Sequence, residues 1–378
     1  MSTEISIRKV KSSDINNLIS FFKEAYGEKT VFQNKEFLTY YFKSQFKNID
    51  PLSYNLIAVN SKGKIVSHYG GLNYKIQLKN IVLPIVWGVN AFTLNKWRGK
   101  GINSKIVNYI QKNNEINAVI GMPFEAPFFY KKFGYNIFNK TTLDRFVYIL
   151  NNNTFTIIEH LNQNLQKAKK LLKIKELNVD FLNISNIIEL TKDNFKDFEY
   201  NLKIHSISTT YRDISFLSWR IFNNPYIIYK VFGYKKNNTI ISYIAIREEN
   251  LQPSNFKVSR IIDLFGQKEG ICYLLKQTLK YSIERKSIYI DFSKYGELYS
   301  KELLSFGFIK LENENVCLLP QVTSPIENRP NHEFIVLQSK KYNNEIQTLT
   351  SKNAYFTRID GDRDRISNIN QIETKNAK

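Results

Sequence analysis

Residues 83–94, LPIVWGVNAFTL, form a near-continuous apolar run rich in β-branched and aromatic side chains, which reads as a buried strand. It is followed at once by NKWRGKGINS at 95–104, after which Ile102, Ile106, Val107 and Ile110 recur at helical spacing. A strand, a short Arg/Gly loop and a helix in immediate succession leave few folds open. The first backbone N–H groups of a helix lack intrahelical partners, and the helix dipole favours negative charge there. Glycines let that backbone approach a bulky anion closely. The junction therefore predicts a binding place for something phosphorylated.

The segments around it alternate between both periodicities. Residues 4–10 read as a strand, 13–26 and 34–46 as helices, and 54–60 and 64–74 as strands joined by SKGK. After the helix to about 113 come a strand at 116–121, a helix at 124–132 and a strand beyond Gly134; TTLDRFVYIL at 141–150 then closes the sheet. The second half repeats the pattern. A strand is expected at 178–184, helices at 191–203 and 213–222, strands at 226–234, 239–247 and 258–266, a helix at 268–284, a strand at 287–292 and a helix at 297–305. Phe306-Gly307-Phe308 echoes Phe133-Gly134-Tyr135. The chain reads as two copies of one fold joined through 151–175.

Length agrees, since 378 residues exceed one ordinary core. Hydrophobic content of 43% describes a folded protein, and no apolar run approaches the ~20 residues that span a bilayer. The first residues, MSTEISIRKVKSSD, lack the apolar core of a signal peptide, so a cytoplasmic location and no membrane partner are expected. Two cysteines, Cys272 and Cys317, and four scattered histidines, His68, His160, His205 and His332, indicate neither disulfides nor a metal site. The net charge of +20 fits nucleic acid or anionic small molecules. Because the lysines are spread out, with KAKKLLKIK at 167–175 the densest run, a basic surface that attracts phosphorylated small molecules is the preferred reading.

The order of elements and two motifs resemble the GNAT superfamily of acyl-CoA-dependent N-acyltransferases. The first motif is Arg98-Gly99-Lys100-Gly101-Ile102-Asn103, in which Asn103 departs from the family's small last residue. The second is Ala126-Pro-Phe-Phe129-Tyr130-Lys-Lys-Phe-Gly134-Tyr135. The resemblance implies an α/β (α+β) fold: tandem GNAT-type domains, each a mixed central sheet flanked by helices. Residues 1–150 would be the catalytic domain, and 151–378 a linker helix and a degenerate acceptor-binding domain. Where the first copy has WRGKGIN the second has FGQKEG, and where the first has Tyr130 the second has Leu303.

The resemblance also implies roles. Residues 98–103 would hold the pyrophosphate of CoA, and Phe92, Thr93 and Leu94 would lie along its pantetheine arm, a backbone N–H near Phe92 or Thr93 facing the thioester oxygen. Tyr130 is the candidate general acid, since a phenol stays protonated at neutral pH and can serve a departing thiolate; alternatively it is a packing aromatic. Family members often carry a base where Trp87 stands here. His68 and Glu125 are the substitutes, with ordered water as a third route. Trp219, Arg220 and Tyr226, in WRIFNNPYIIY, and the segment AYFTRIDGDRDR at 354–365 are candidate acceptor contacts or plain turns. The expected function is N-acylation with acetyl-CoA or another acyl-CoA and no metal. Tandem chains of this size are similar to bacterial nucleotide-amino-sugar N-acetyltransferases, so the expected acceptor is a small molecule of that class. Protein or antibiotic acetylation, aminoacyl-tRNA-dependent transfer and non-catalytic nucleic-acid binding are the other readings.

Overall fold

The computed structural model describes residues 4–45, 50, 52–122, 125–138, 143–161, 165–172, 174, 186–195, 207–311, 319–320, 322–323, 326–327, 334–366 and 368–372. The strand expected at 178–184, most of the helix expected at 191–203, and Cys317, His205 and His332 lie outside them. The chain divides into two compact units. Residues 1–140, 334–349 and 360–378 make the first, and 141–333 with 350–359 the second.

In the first unit the elements are β1 (Ile5–Lys9), α1 (Ile15–Tyr26), α2 (Lys35–Tyr41), β2 (Leu56–Asn60), β3 (Ile65–Leu78), β4 (Ile81–Thr93), α3 (Ile102–Asn113), β5 (Asn117–Met122), α4 (Ala126–Lys131) and β6 (Asn136–Ile137). Strands β1 to β4 pair antiparallel in succession, and β4 then pairs parallel with β5 through the crossover helix α3. Ile102, Ile106 and Ile110 of α3 pack on Leu56, Ala58 and Val66 of the sheet, which is the apolar stripe seen in the sequence.

The next elements belong to the second unit. They are β7 (Asp144–Ile149), α5 (Asn153–His160), α6 (Leu165–Leu171), β8 (Ile187–Leu190), β9 (Thr209–Thr210), α7 (Ile214–Leu217), β10 (Lys230–Lys236), β11 (Thr239–Asn250), β12 (Lys257–Gly266), α8 (Lys268–Glu284), β13 (Ser287–Tyr295), α9 (Ser300–Phe306), β14 (Ile309–Leu311) and the short pair β15 (Val322–Thr323) and β16 (Ile326–Glu327). The chain closes with β17 (Phe334–Gln338) and α10 (Asn343–Gln347) in the first unit and β18 (Phe356–Thr357) in the second.

The two sheets share one strand order, β1-β2-β3-β4-β5-β17-β6 and β8-β10-β11-β12-β13-β7-β14. At the same place in each, two strands pair parallel, β4 with β5 and β12 with β13. The repeat in the sequence is thus a repeat in the fold, with one correction. Residues 144–149 do not close the first sheet, and the chain does not divide at 150. Strand β7 lies between β13 and β14, whereas the matching place between β5 and β6 is taken by β17. The physical reason is visible in both segments. Arg145–Ile149 and Phe334–Gln338 are buried throughout, so each needs a strand on both sides, but burial on both faces does not specify which sheet supplies them.

Candidate active site

The site begins with a fault in β4. His68 pairs with Phe92 and Gly70 with Val89, so Asn90 and Ala91 together stand opposite Tyr69. This is a β-bulge, and Asn90 adopts the left-handed conformation, φ 49°. The bulge is held at two atoms. His68 Nδ1 donates to the Asn90 carbonyl at 3.3 Å, and Arg365 Nη2 donates to Asn90 Oδ1 at 3.3 Å. Bending β4 here parts it from β5, since their pairing covers only Val86–Gly88 against Asn117–Val119.

Beyond the bulge a cleft of ≈ 450 Å³ opens along Ala91–Thr93 and runs to the start of α3. Seven of the nine residues expected to bind CoA line it: Phe92, Thr93, Arg98, Gly99, Gly101, Ile102 and Asn103. Gly99 and Gly101 have φ 75° and 70°, and a Cβ at either would meet nothing within 4 Å. Glycine is needed there for conformation, and the open space beside it is what a bulky anion requires. Arg98 is steadied by its Nε, which donates to the Thr93 carbonyl at 3.1 Å. Asn103, the departure from the family pattern, has a definite task. Its Oδ1 accepts from Thr93 Oγ1 at 2.8 Å and ties the first turn of α3 to the end of β4. The remaining two residues lie outside the lining. Leu94 is buried, and the Lys100 ammonium sits 4.5 Å from the centre of the Trp97 ring. Trp97, Ser104, Ala91 and Phe129 complete the wall and were not expected from the sequence. Each carried a signal, since Trp97 and Ser104 stand in the stretch 95–104, Ala91 in the strand before it and Phe129 beside Tyr130 in the second motif.

Tyr130, on α4 next to Phe129, is 6% exposed. Burial pushes its phenol up to about 12, opposed by a hydrogen bond from Tyr69, so it is protonated throughout the physiological range. His68 is fully buried, with ring centres of Phe22 and Phe42 at 4.8 and 5.4 Å. Burial lowers it to about 4, so the imidazole is neutral and its positive form is disfavoured. Glu125 is exposed in the turn before α4. Trp219, Arg220 and Tyr226 belong to the second unit. Trp219 and Arg220 lie in a π-helical turn, Ser218–Phe222, with the guanidinium 5.2 Å from the Trp219 ring centre, and Tyr226 follows half-buried. Segment 354–365 is shared: 354–359 goes to the second unit and 360–365 to the first, where Arg365 reaches Asn90.

Among the described residues the second copy does not repeat this cleft, for three reasons of geometry. Only Gln267 separates β12 from α8, so no loop exists to curl around an anion. The Gly266 N–H already donates to the Tyr299 hydroxyl at 2.9 Å. And β18 pairs with β13 at Lys294–Tyr295, while Thr357 Oγ1 and Tyr355 Oη donate to Asp263 and the Leu264 carbonyl of β12. The place where β12 and β13 part is filled by the chain itself.

Residues 6–138 match the family model described as the acetyltransferase (GNAT) domain. The first unit carries a GNAT acetyltransferase domain. The open Arg98–Gly101 cleft lies within the matched residues, and together they support an acyl-CoA-dependent N-acyltransferase. No curated protein matches the chain. Solved structures extend the likeness in fold to both units. A probable N-acyltransferase from Enterococcus faecalis superposes with a TM-score of 0.55 at 9% identity, covering 89% of this chain and 72% of its own. A GCN5-related N-acetyltransferase from Anabaena variabilis gives 0.55 at 11% identity, with 89% and 73% covered. The N-myristoyltransferase of Saccharomyces cerevisiae, solved with myristoyl-CoA, gives 0.53 at 9% identity, with 89% and 82% covered. Among the described residues no helix is long and apolar enough to cross a membrane, and no group of His, Cys, Asp or Glu is placed to hold a metal.

Proposed function

We propose that the GNAT domain moves an acyl group, acetyl in the simplest case, from CoA to the amino group of an anionic small molecule, with Tyr130 as general acid. The observation that carries the reading is the single cleft joining the Arg98–Gly101 turn to the unpaired edge of β4 and to Phe129, the neighbour of Tyr130. Backbone N–H groups of the turn hold the pyrophosphate and Arg98 adds charge. Pantetheine lies along Phe92 and Thr93, and a backbone N–H of that stretch receives the developing oxyanion. The neutral amine attacks the carbonyl carbon. As the tetrahedral adduct collapses, the C–S bond breaks and the sulfur takes the Tyr130 proton. The new amide nitrogen loses its extra proton to water, and the Tyr130 phenolate regains one from water. His68 has no part in this route, because burial opposes the imidazolium a base must become.

For the acceptor we propose an amino deoxysugar linked to a nucleotide. The net charge of +20 favours a second anionic substrate beside CoA. Trp219, Arg220 and Tyr226 offer rings and a guanidinium suited to base and diphosphate. Trp219 and Arg220 lie in a π-helical turn, a distortion frequent at functional sites. The test compares kcat/KM for such a nucleotide-sugar, the free amino sugar, a lysine peptide and an aminoglycoside, with acetyl-CoA as donor. The nucleotide-linked amine should be the best by a wide margin, since remote binding energy is spent at the reacting centre. Equal use of the free sugar or the peptide would overturn the acceptor class and leave acyl transfer standing. Tyr130→Phe should lower kcat by on the order of 10²–10⁴ while CoA still binds; unchanged turnover would remove Tyr130 from the mechanism.

A further inference from the structure

Tyr69 is the residue of β3 opposite the bulge, and its ring does not stay on its own strand. It crosses the face of β4 at Gly88. A Cβ built on Gly88 would lie 1.8 Å from the Tyr69 hydroxyl oxygen and 2.4 Å from Cζ. No other residue at 88 leaves the ring where it is. Tyr69 shares a core cluster with Leu56, Ala58, Ile102 and Ile106, and its hydroxyl is hydrogen-bonded to that of Tyr130. Both phenols are buried, at 4% and 6% exposure.

The direction of that hydrogen bond follows from the surroundings. Tyr69 is buried in one core cluster with Leu56, Ala58, Ile102 and Ile106, and a buried donor without an acceptor is costly. Tyr130 supplies the acceptor. A hydroxyl that accepts from one side turns its own proton to another. We propose that Tyr69 is a positioning residue for Tyr130: its hydroxyl fixes the Tyr130 oxygen and leaves the Tyr130 proton for the departing sulfur. When that proton moves as the C–S bond breaks, Tyr69 keeps its own proton and strengthens its hydrogen bond to the phenolate. Gly88 is the third member of the device, since it makes room for the ring. This rests on Tyr130 being the general acid, and the two ideas fail separately.

The experiment measures kcat, KM for acetyl-CoA and thermal stability of Tyr69→Phe, Tyr130→Phe and the double variant of the full chain. Tyr69→Phe keeps the ring and removes only the donor. Its kcat should fall roughly tenfold, the scale of one hydrogen bond to a developing charge, with KM unchanged. Added to Tyr130→Phe, the same change should cost nothing further, because there is no proton left to direct. Gly88→Ala, which evicts the ring by another route, should reproduce the loss in kcat. If Tyr130→Phe is impaired and Tyr69→Phe is not, the positioning role is wrong and the acid role survives. If Tyr69→Phe lowers kcat equally in both backgrounds, the tyrosine serves packing alone and the proposal falls. Full activity of Tyr130→Phe would overturn both.

Discussion

His68 passes from water in the unfolded chain to an aromatic cage in the fold. Its folded value of about 4 lies below the ordinary 6.5, with burial the larger cause and the hydrogen bond to Asn90 opposing it. Between those values the unfolded chain binds a proton and the folded chain does not. The stabilisation from a neutral His68 is therefore complete above about pH 6.5, shrinks as pH falls, and is gone near pH 4. At about 1.4 kcal/mol per pH unit, the loss is roughly 3 kcal/mol. His68→Asn keeps a donor for the Asn90 carbonyl and cannot titrate. Urea unfolding at pH 7, 5.5 and 4.5 should show the native chain losing stability more steeply than this variant; parallel slopes would mean water reaches the ring. At this scale the sequence was legible only in part. It gave the loop residues and Tyr130 by motif. It gave no sign that His68 is caged, because the Phe21, Phe22 and Phe42 rings around it come from segments separated from it in the chain.

Among the elements, those set by local chemistry were read well, and those set by a distant partner were not. Helix α8 occupies 268–284, the span its periodicity predicts, and β4 and α3 flank the Arg/Gly loop as expected. Strand β18, two residues long, has no period to read, yet it closes the second copy's gap between β12 and β13. The sequence predicted a second copy without a donor site from its missing arginine; the fold adds that the space itself is occupied. Calorimetric titration with CoA should accordingly give a stoichiometry near one per chain. Gly101→Glu should abolish binding, since it places a side chain at φ 70° and a carboxylate where phosphate belongs. A second equivalent site would show that β18 leaves its gap readily and that the second copy is not silent.

The whole molecule is organised by an exchange that no window of sequence reveals. Strand β7 follows the first unit in the chain but lies in the second sheet, and β17 follows most of the second unit but lies in the first. Both occupy interior positions, so each sheet is incomplete without a strand from the far half of the sequence. A fragment ending at residue 150 would contain the cleft, both motifs and Tyr130. It would also carry β7 with no sheet to enter, and β5 would present a long unpaired edge of buried residues, Asn117–Val119 among them, to solvent. Such edges recruit other chains. Fragment 1–150 should therefore aggregate, or show no cooperative thermal transition and no CoA binding by calorimetry. Joining residues 334–349 to a fragment ending at 140 restores a partner for β5 and β6 and should recover soluble protein with measurable CoA affinity. If fragment 1–150 is instead monomeric, unfolds cooperatively and binds CoA as the full chain does, β7 can replace β17, and the exchange is a convenience of chain order instead of a requirement of folding.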